Sequence, residues 1–211
     1  MNPRTALSLL ALAVAAPAMA QPIDELPPRR ELDIEVAPPK EQVFISPSGE
    51  PFRAPLGEAY PVGAWFARAD ADQDRALTPE EFTADQLAFF DRLDTDKDGV
   101  VDGFESSEYE RTIAPEIAAQ PTGARHRRRG WIFGRSEKPR VHLRGAAHYG
   151  LINDPLPVRS PDANFDYRVT REELLATAAH RFTLLDKDKD GRIAWDELPT
   201  TRMQAELRRL K

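Results

Sequence analysis

Acidic side chains alternate along the stretch Asp94–Glu105, DTDKDGVVDGFE. Asp94, Asp96, Asp98, Asp102 and Glu105 place side-chain oxygens at positions 1, 3, 5, 9 and 12 of a twelve-residue loop, and the Val100 carbonyl is available at position 7. Carboxylates this close repel one another, and a hard divalent cation, which takes about six to eight oxygen ligands, relieves that repulsion. Gly99 at position 6 suits a sharp turn with positive φ, and β-branched Val101 follows at position 8. A solvated acidic face accounts for the charges alone. It does not account for the glycine, for Val101, or for a glutamate at position 12.

Three more stretches repeat the pattern. Asp70–Glu81, DADQDRALTPEE, offers Asp70, Asp72, Asp74, Thr78 and Glu81, with the Ala76 carbonyl at position 7. Asp162–Glu173, DANFDYRVTREE, offers Asp162, Asn164, Asp166, Thr170 and Glu173, with the Arg168 carbonyl. Asp186–Glu197, DKDKDGRIAWDE, offers Asp186, Asp188, Asp190 and Glu197, with the Arg192 carbonyl; Ala194 leaves position 9 to water. Numbered in chain order, loops 1 and 3 carry Arg75 and Tyr167 where loops 2 and 4 carry Gly99 and Gly191. A Cβ held in the left-handed region costs roughly 1–2 kcal/mol. In each half of the chain a weaker loop therefore precedes a stronger one.

These loops resemble the calcium loops of the EF-hand family. The resemblance implies an all-α fold built from two EF-hand pairs, at 62–116 and 161–211. It also implies Ca2+ at two tighter sites, loops 2 and 4, and at up to two weaker ones, loops 1 and 3. Exported modules of this family work at about 10⁻⁴–10⁻³ M calcium, the range expected for loops 1 and 3. The close spacing of the loops on an exported chain is also similar to the lanmodulins, periplasmic lanthanide-binding EF-hand proteins. Asp102 strengthens that likeness, since an extra carboxylate suits a trivalent ion. The proline that family carries at loop position 2 is absent, those positions being Ala71, Thr95, Ala163 and Lys187.

The elements between the loops are short. Asp70 to Asp94 and Asp162 to Asp186 are each 24 residues, leaving twelve between consecutive loops. Thr78 and Pro79 suit a helix N-terminus, and Phe82, Phe89, Phe90 and Leu93 then share one face. Thr170 caps a second helix with Leu174, Ala178, Phe182 and Leu185 on its face. A straight helix of about 15 residues is roughly 22 Å long and sets its two loops at opposite ends, so that loop 1 would pair with loop 4 and loop 2 with loop 3. A kink near Thr83 would instead give two ordinary pairs. We expect a kink in the first half and a straight helix in the second.

The remainder of the 211 residues frames these halves. Residues 1–20 read as a signal peptide: Arg4, an apolar run at Ala6–Ala16 too short to span a bilayer, and Ala18-Met19-Ala20 before Gln21. A periplasmic or secreted protein with no transmembrane segment is expected. The absence of cysteine rules out disulfides and leaves bound metal as the obvious stabiliser. Residues 21–61 form a proline-rich arm with nine prolines, in which Val43–Ile45, a turn at Pro47-Ser48-Gly49 and Phe52 suggest a hairpin packing onto the next segment.

Residues 117–160 read as a basic linker. From 121 to 160 nine Lys or Arg face two acids within a chain of net charge −6. This stretch is available to fold back on the acidic loops or to meet an unknown protein or anionic surface partner; nucleic acid is not expected. Leu198-Pro199 should stop the helix leaving loop 4, and Thr201–Lys211 should form a short helix. No histidine sits beside a nucleophile in a recognisable frame, so no enzyme is expected. Three functions remain open: an exported calcium binder that orders its fold or buffers the ion, a calcium-dependent adaptor, and a lanthanide carrier.

Overall fold

The computed structural model describes residues 41–118 and 143–209. Residues 1–20, expected to be a signal peptide, the arm up to residue 40 and the arginine block at 125–129 lie outside the described residues.

Local chemistry builds the first element as expected. Strands β1 (Glu41–Ile45) and β2 (Pro51–Pro55) pair antiparallel with Phe44 opposite Phe52. The turn closes through Gly49 N–H donating to Ser46 O at 2.9 Å, and Gly49 has φ +100°. A Cβ there would stand 3.0 Å from both the Tyr109 hydroxyl and Val158 Cγ2, so a side chain at this left-handed position would be crowded as well as strained. Successive residues of a strand point to opposite faces. Here both faces of β1 are buried: Phe44 enters one hydrophobic cluster with Trp65, Phe66, Leu77, Phe82, Phe182 and Ile193, and Val43 and Ile45 enter a second with Phe89, Phe90, Val101, Tyr109 and Leu174.

Helix α1 (Val62–Ala69) leads into loop 1 and buries Trp65, Phe66 and Ala69. Between loops 1 and 2 runs α2 (Pro79–Leu93). Thr78 Oγ1 accepts from Glu81 N–H, Glu81 returns a bond to the Thr78 N–H, and Pro79 sits where no donor is needed. Helix α4 (Arg171–Leu185) is capped the same way by Thr170 and Glu173. The two helices lie antiparallel. Phe82 near the start of α2 meets Phe182 near the end of α4 at 5.7 Å between rings, while Asp91 near the end of α2 pairs with Arg171 at the start of α4.

Two expectations fail here. Helix α2 is continuous over 15 residues through Thr83, without the expected kink. It contains no internal proline or glycine, and one unbroken face places Phe82, Gln86, Phe89, Phe90 and Leu93 in the core. With both helices straight, the loops pair across the halves of the chain. Strand β3 (Ala76–Leu77) pairs with β6 (Ile193–Ala194), joining loops 1 and 4, and β4 (Val100–Val101) pairs with β5 (Val169–Thr170), joining loops 2 and 3.

The all-α expectation is also overturned. Among the described residues five α-helices accompany six strands in three two-stranded antiparallel sheets. The physical reason is that the position-8 residues Leu77, Val101, Val169 and Ile193 are held extended and bury their side chains between paired loops, and that the hairpin is an integral core element.

After loop 2, α3 (Gly103–Glu108) continues into a π-helical turn at Tyr109–Ile113. Loop 4 instead ends in a 3₁₀ turn, Trp195–Glu197, with no α-helix continuing from it. Ala194 offers no oxygen to cap a longer helix, and Pro199 follows closely. Residues 143–160 pack against β1 and α4. A 3₁₀ turn at Gly145–His148 buries Ala146 and Ala147, and Ile45 N–H donates to Tyr149 O at 3.3 Å. The fully buried Arg181 of α4 holds this segment by donating to Asp154 Oδ2 (2.8 Å), Pro157 O (2.7 Å) and Ser160 Oγ (2.9 Å). Helix α5 (Arg202–Arg209) buries Met203, and the Thr201 hydroxyl beside it shares a 2.8 Å hydrogen bond with Tyr60.

Candidate metal-binding loops

All four loops share one hydrogen-bond frame, set by their carboxylates. At position 1, Asp70 Oδ2 accepts from Arg75 N–H (3.0 Å), Asp94 Oδ2 from Gly99 N–H (2.9 Å), Asp162 Oδ2 from Tyr167 N–H (2.9 Å) and Asp186 Oδ2 from Gly191 N–H (3.1 Å). At position 5, Asp74, Asp98, Asp166 and Asp190 each accept the N–H of the residue two further on. The position-12 glutamate spans the loop: Glu105 accepts from Thr95 N–H at 2.7 Å with one oxygen and from Asp102 N–H at 3.1 Å with the other. Glu81, Glu173 and Glu197 do the same in their loops.

The backbone must turn twice to build this frame. Position 6 has φ 71° at Arg75, 84° at Gly99, 65° at Tyr167 and 87° at Gly191. Position 4 is also left-handed in every loop, at Gln73, Lys97, Phe165 and Lys189. Sequence reasoning found the first site through glycine and missed the second, because residues as different as Gln, Lys and Phe carry no common signal.

Carboxylates converge in the three loops that carry aspartate at position 3. Asp70, Asp72 and Glu81 bring one oxygen each within 4.8 Å of one another, as do Asp94, Asp96 and Glu105, and Asp186, Asp188 and Glu197. In loop 3 the third position is a carboxamide, and Asn164 spends its amide on Asp166 Oδ2 at 3.0 Å. Asp70, Asp94 and Asp186 are buried, whereas Asp162 is only half-buried. Position 9 serves mainly as a helix cap: Thr78, Asp102 and Thr170 each accept the N–H of the closing glutamate. Asp102, expected to add a carboxylate to the ion site, has Oδ1 committed to the Phe104 and Glu105 N–H groups at 2.8 and 2.9 Å. The threonine hydroxyls of Thr78, Thr95 and Thr170 also brace their glutamates at 2.8–3.0 Å; for Thr95 nothing in the sequence pattern pointed to that role.

The electrostatics suit a cation. Backbone donors at Thr78, Thr170 and Ala194 hold the Glu81, Glu173 and Glu197 carboxyls below the ordinary carboxylate range, so these groups are ionised when a cation arrives. Asp186 Oδ1 is buried without a hydrogen-bond partner, where buried acceptors ordinarily have one. The residues therefore fit a hard divalent ion, with Asp186, Asp188, Asp190, Glu197 and the Arg192 carbonyl as the holders in loop 4 and their counterparts in the other loops.

The EF-hand family model matches residues 88–105 and 178–199. These stretches contain the two loops with glycine at position 6. The match makes calcium the ion implied, and three carboxylate clusters in the structure are able to hold it. No curated protein matches the chain.

Proposed function

We propose that this is a non-catalytic calcium-binding protein whose ions clamp one half of the chain to the other, and that it works after export. The observation that carries this reading is the cross-pairing of β3 with β6 and of β4 with β5. An ion in any loop stiffens a contact between residues about 70 to 120 apart, so its binding free energy adds directly to the stability of the tertiary fold. A calcium-dependent adaptor would need an apolar groove that opens for a target. The inner faces of α2 and α4, which carry Phe82, Phe89, Phe90, Leu174 and Phe182, are filled by the chain's own hairpin, with Phe44 fully buried and Val43 and Ile45 buried beside it.

Calcium titration of the chelated protein, followed by circular dichroism and a hydrophobic dye, tests the proposal. The expected result is a gain of ordered signal and thermal stability without new dye binding. New dye binding on calcium addition would establish the adaptor instead. Failure of calcium to outcompete equimolar magnesium would overturn any calcium-specific role, and tighter lanthanide than calcium binding would redirect it to trivalent ions.

A further inference from the structure

Position 7 distinguishes the four loops in a way that ligand counting does not use. Its carbonyl is the candidate ligand, so its side chain is free to vary: Ala76 and Val100 in loops 1 and 2, but Arg168 and Arg192 in loops 3 and 4. The short sheets fix where those arginines reach. Val169 pairs with Val101 and Ile193 with Leu77, which sets the preceding arginine of each later loop against the earlier loop. Arg168 Nη2 stands 3.4 Å from Asp98 Oδ2, and Arg192 makes the equivalent pair with Asp74 Oδ2.

The relation is the same in both pairs, position 7 of the later loop to position 5 of the earlier one. It runs in one direction only, because Ala76 and Val100 have no charge to return. The carboxylates involved use Oδ1 for the loop's own backbone, at 2.9 Å from Val100 N–H and from Ala76 N–H, and offer Oδ2 to the guanidinium. Each arginine thus belongs to two sites, by its carbonyl to its own loop and by its guanidinium to a ligand of the neighbouring loop.

We infer that Arg168 and Arg192 are affinity-determining residues: each keeps a resident positive charge on a ligand carboxylate of the paired loop, weakening loops 2 and 1 respectively for cations and coupling occupancy within each pair. The inference rests on the calcium reading above. A cation entering loop 2 meets an Asp98 whose charge Arg168 already offsets, and loop 1 meets the same condition at Asp74. Both pairs are partly exposed, so the effect is modest and screened by salt.

The test is a calorimetric calcium titration of the full chain in a Glu197→Gln background, which removes the strong site of loop 4 and leaves loop 2 dominant. Adding Arg168→Gln should tighten the remaining strong site by about two- to fivefold at low ionic strength, with the difference shrinking in high salt. Arg168→Lys, which keeps the charge, should stay near the parent, and Arg192→Gln, which faces loop 1, should leave the loop 2 affinity unchanged. Unchanged or weaker binding in Arg168→Gln, with calcium still bound by the parent, overturns this inference alone. Absence of calcium binding by the unsubstituted chain overturns the functional proposal itself.

Discussion

Arg75 and Tyr167 hold a backbone conformation that Gly99 and Gly191 adopt freely, at φ 71° and 65°. The position-1 and position-5 bonds to the following backbone recur in all four loops, so the strain at position 6 is a cost specific to loops 1 and 3. At roughly 1–2 kcal/mol per site, Arg75→Gly and Tyr167→Gly should each tighten calcium binding in their own loop by about 5–30-fold. Calorimetric titration of each variant reads this, and an unchanged affinity would show that the strain is relieved elsewhere. Glu105 and Glu197 close the two loops that have glycine. Replacing either with glutamine should remove one of the tighter calcium sites from the stoichiometry while leaving the other in place.

The hairpin is the element on which the two clusters converge, and its turn is the point where a small change does most. Tyr109 donates its buried hydroxyl to Gly49 O at 2.6 Å. Tyr109→Phe should lower unfolding free energy by about 0.5–1.5 kcal/mol, plus whatever desolvation the orphaned carbonyl incurs. Gly49→Ala should be worse, because left-handed strain of about 1–2 kcal/mol is joined by contacts a Cβ cannot make without moving Val158. Urea unfolding of the chelated protein compares the two, and a Gly49→Ala variant as stable as the parent would remove the hairpin turn from the core.

Further along, His148 links the 3₁₀ turn at Gly145–His148 to α5, with Nε2 3.4 Å from Glu206 Oε2. Burial pushes its pKa below the ordinary 6.5, more than Glu206 raises it. A base depressed on folding binds fewer protons in the folded state, so its contribution is complete above 6.5 and is lost as pH falls through its lowered value. The thermal midpoint of the chelated protein should therefore fall between pH 7 and 5 by more in the parent than in His148→Gln. Equal slopes would show that His148 does not titrate in that window.

For the whole molecule the decisive feature is that consecutive loops do not pair. A helix of 15 residues separates loop 1 from loop 2, and another separates loop 3 from loop 4, so the short sheets between loops each join an early loop to a late one. Removing calcium should loosen both ends together. At free calcium about 100-fold above Kd, each site adds about 2.7 kcal/mol to stability. Chelation should then lower the thermal midpoint and raise amide exchange in β3, β4, β5 and β6 alike. Loss of protection confined to one half of the chain would contradict the clamp.

Much of this protein follows from local chemistry. Asp, Gly and Glu at fixed offsets, Thr78 and Thr170 before their glutamates, and the apolar Val43–Ile45 facing Phe52 each specify a loop, a cap or a strand over a few residues, because the groups that satisfy one another are neighbours in the chain. The left-handed position 4 and the brace from Thr95 were not legible, since several residue types serve there equally well. The all-α expectation failed on residues such as Leu77 and Val169, whose two-residue strands exist only when another loop supplies the partner. Pairing itself was decided by tertiary structure. Residues 79–93, with no internal proline or glycine, permit a straight helix but do not by themselves enforce one. Phe82 against Phe182, Asp91 against Arg171 and Gln86 against Arg181 select it, by packing one continuous face of α2 along α4. Once those faces meet over their full length, Asp94–Glu105 can only find its neighbour in Asp162–Glu173.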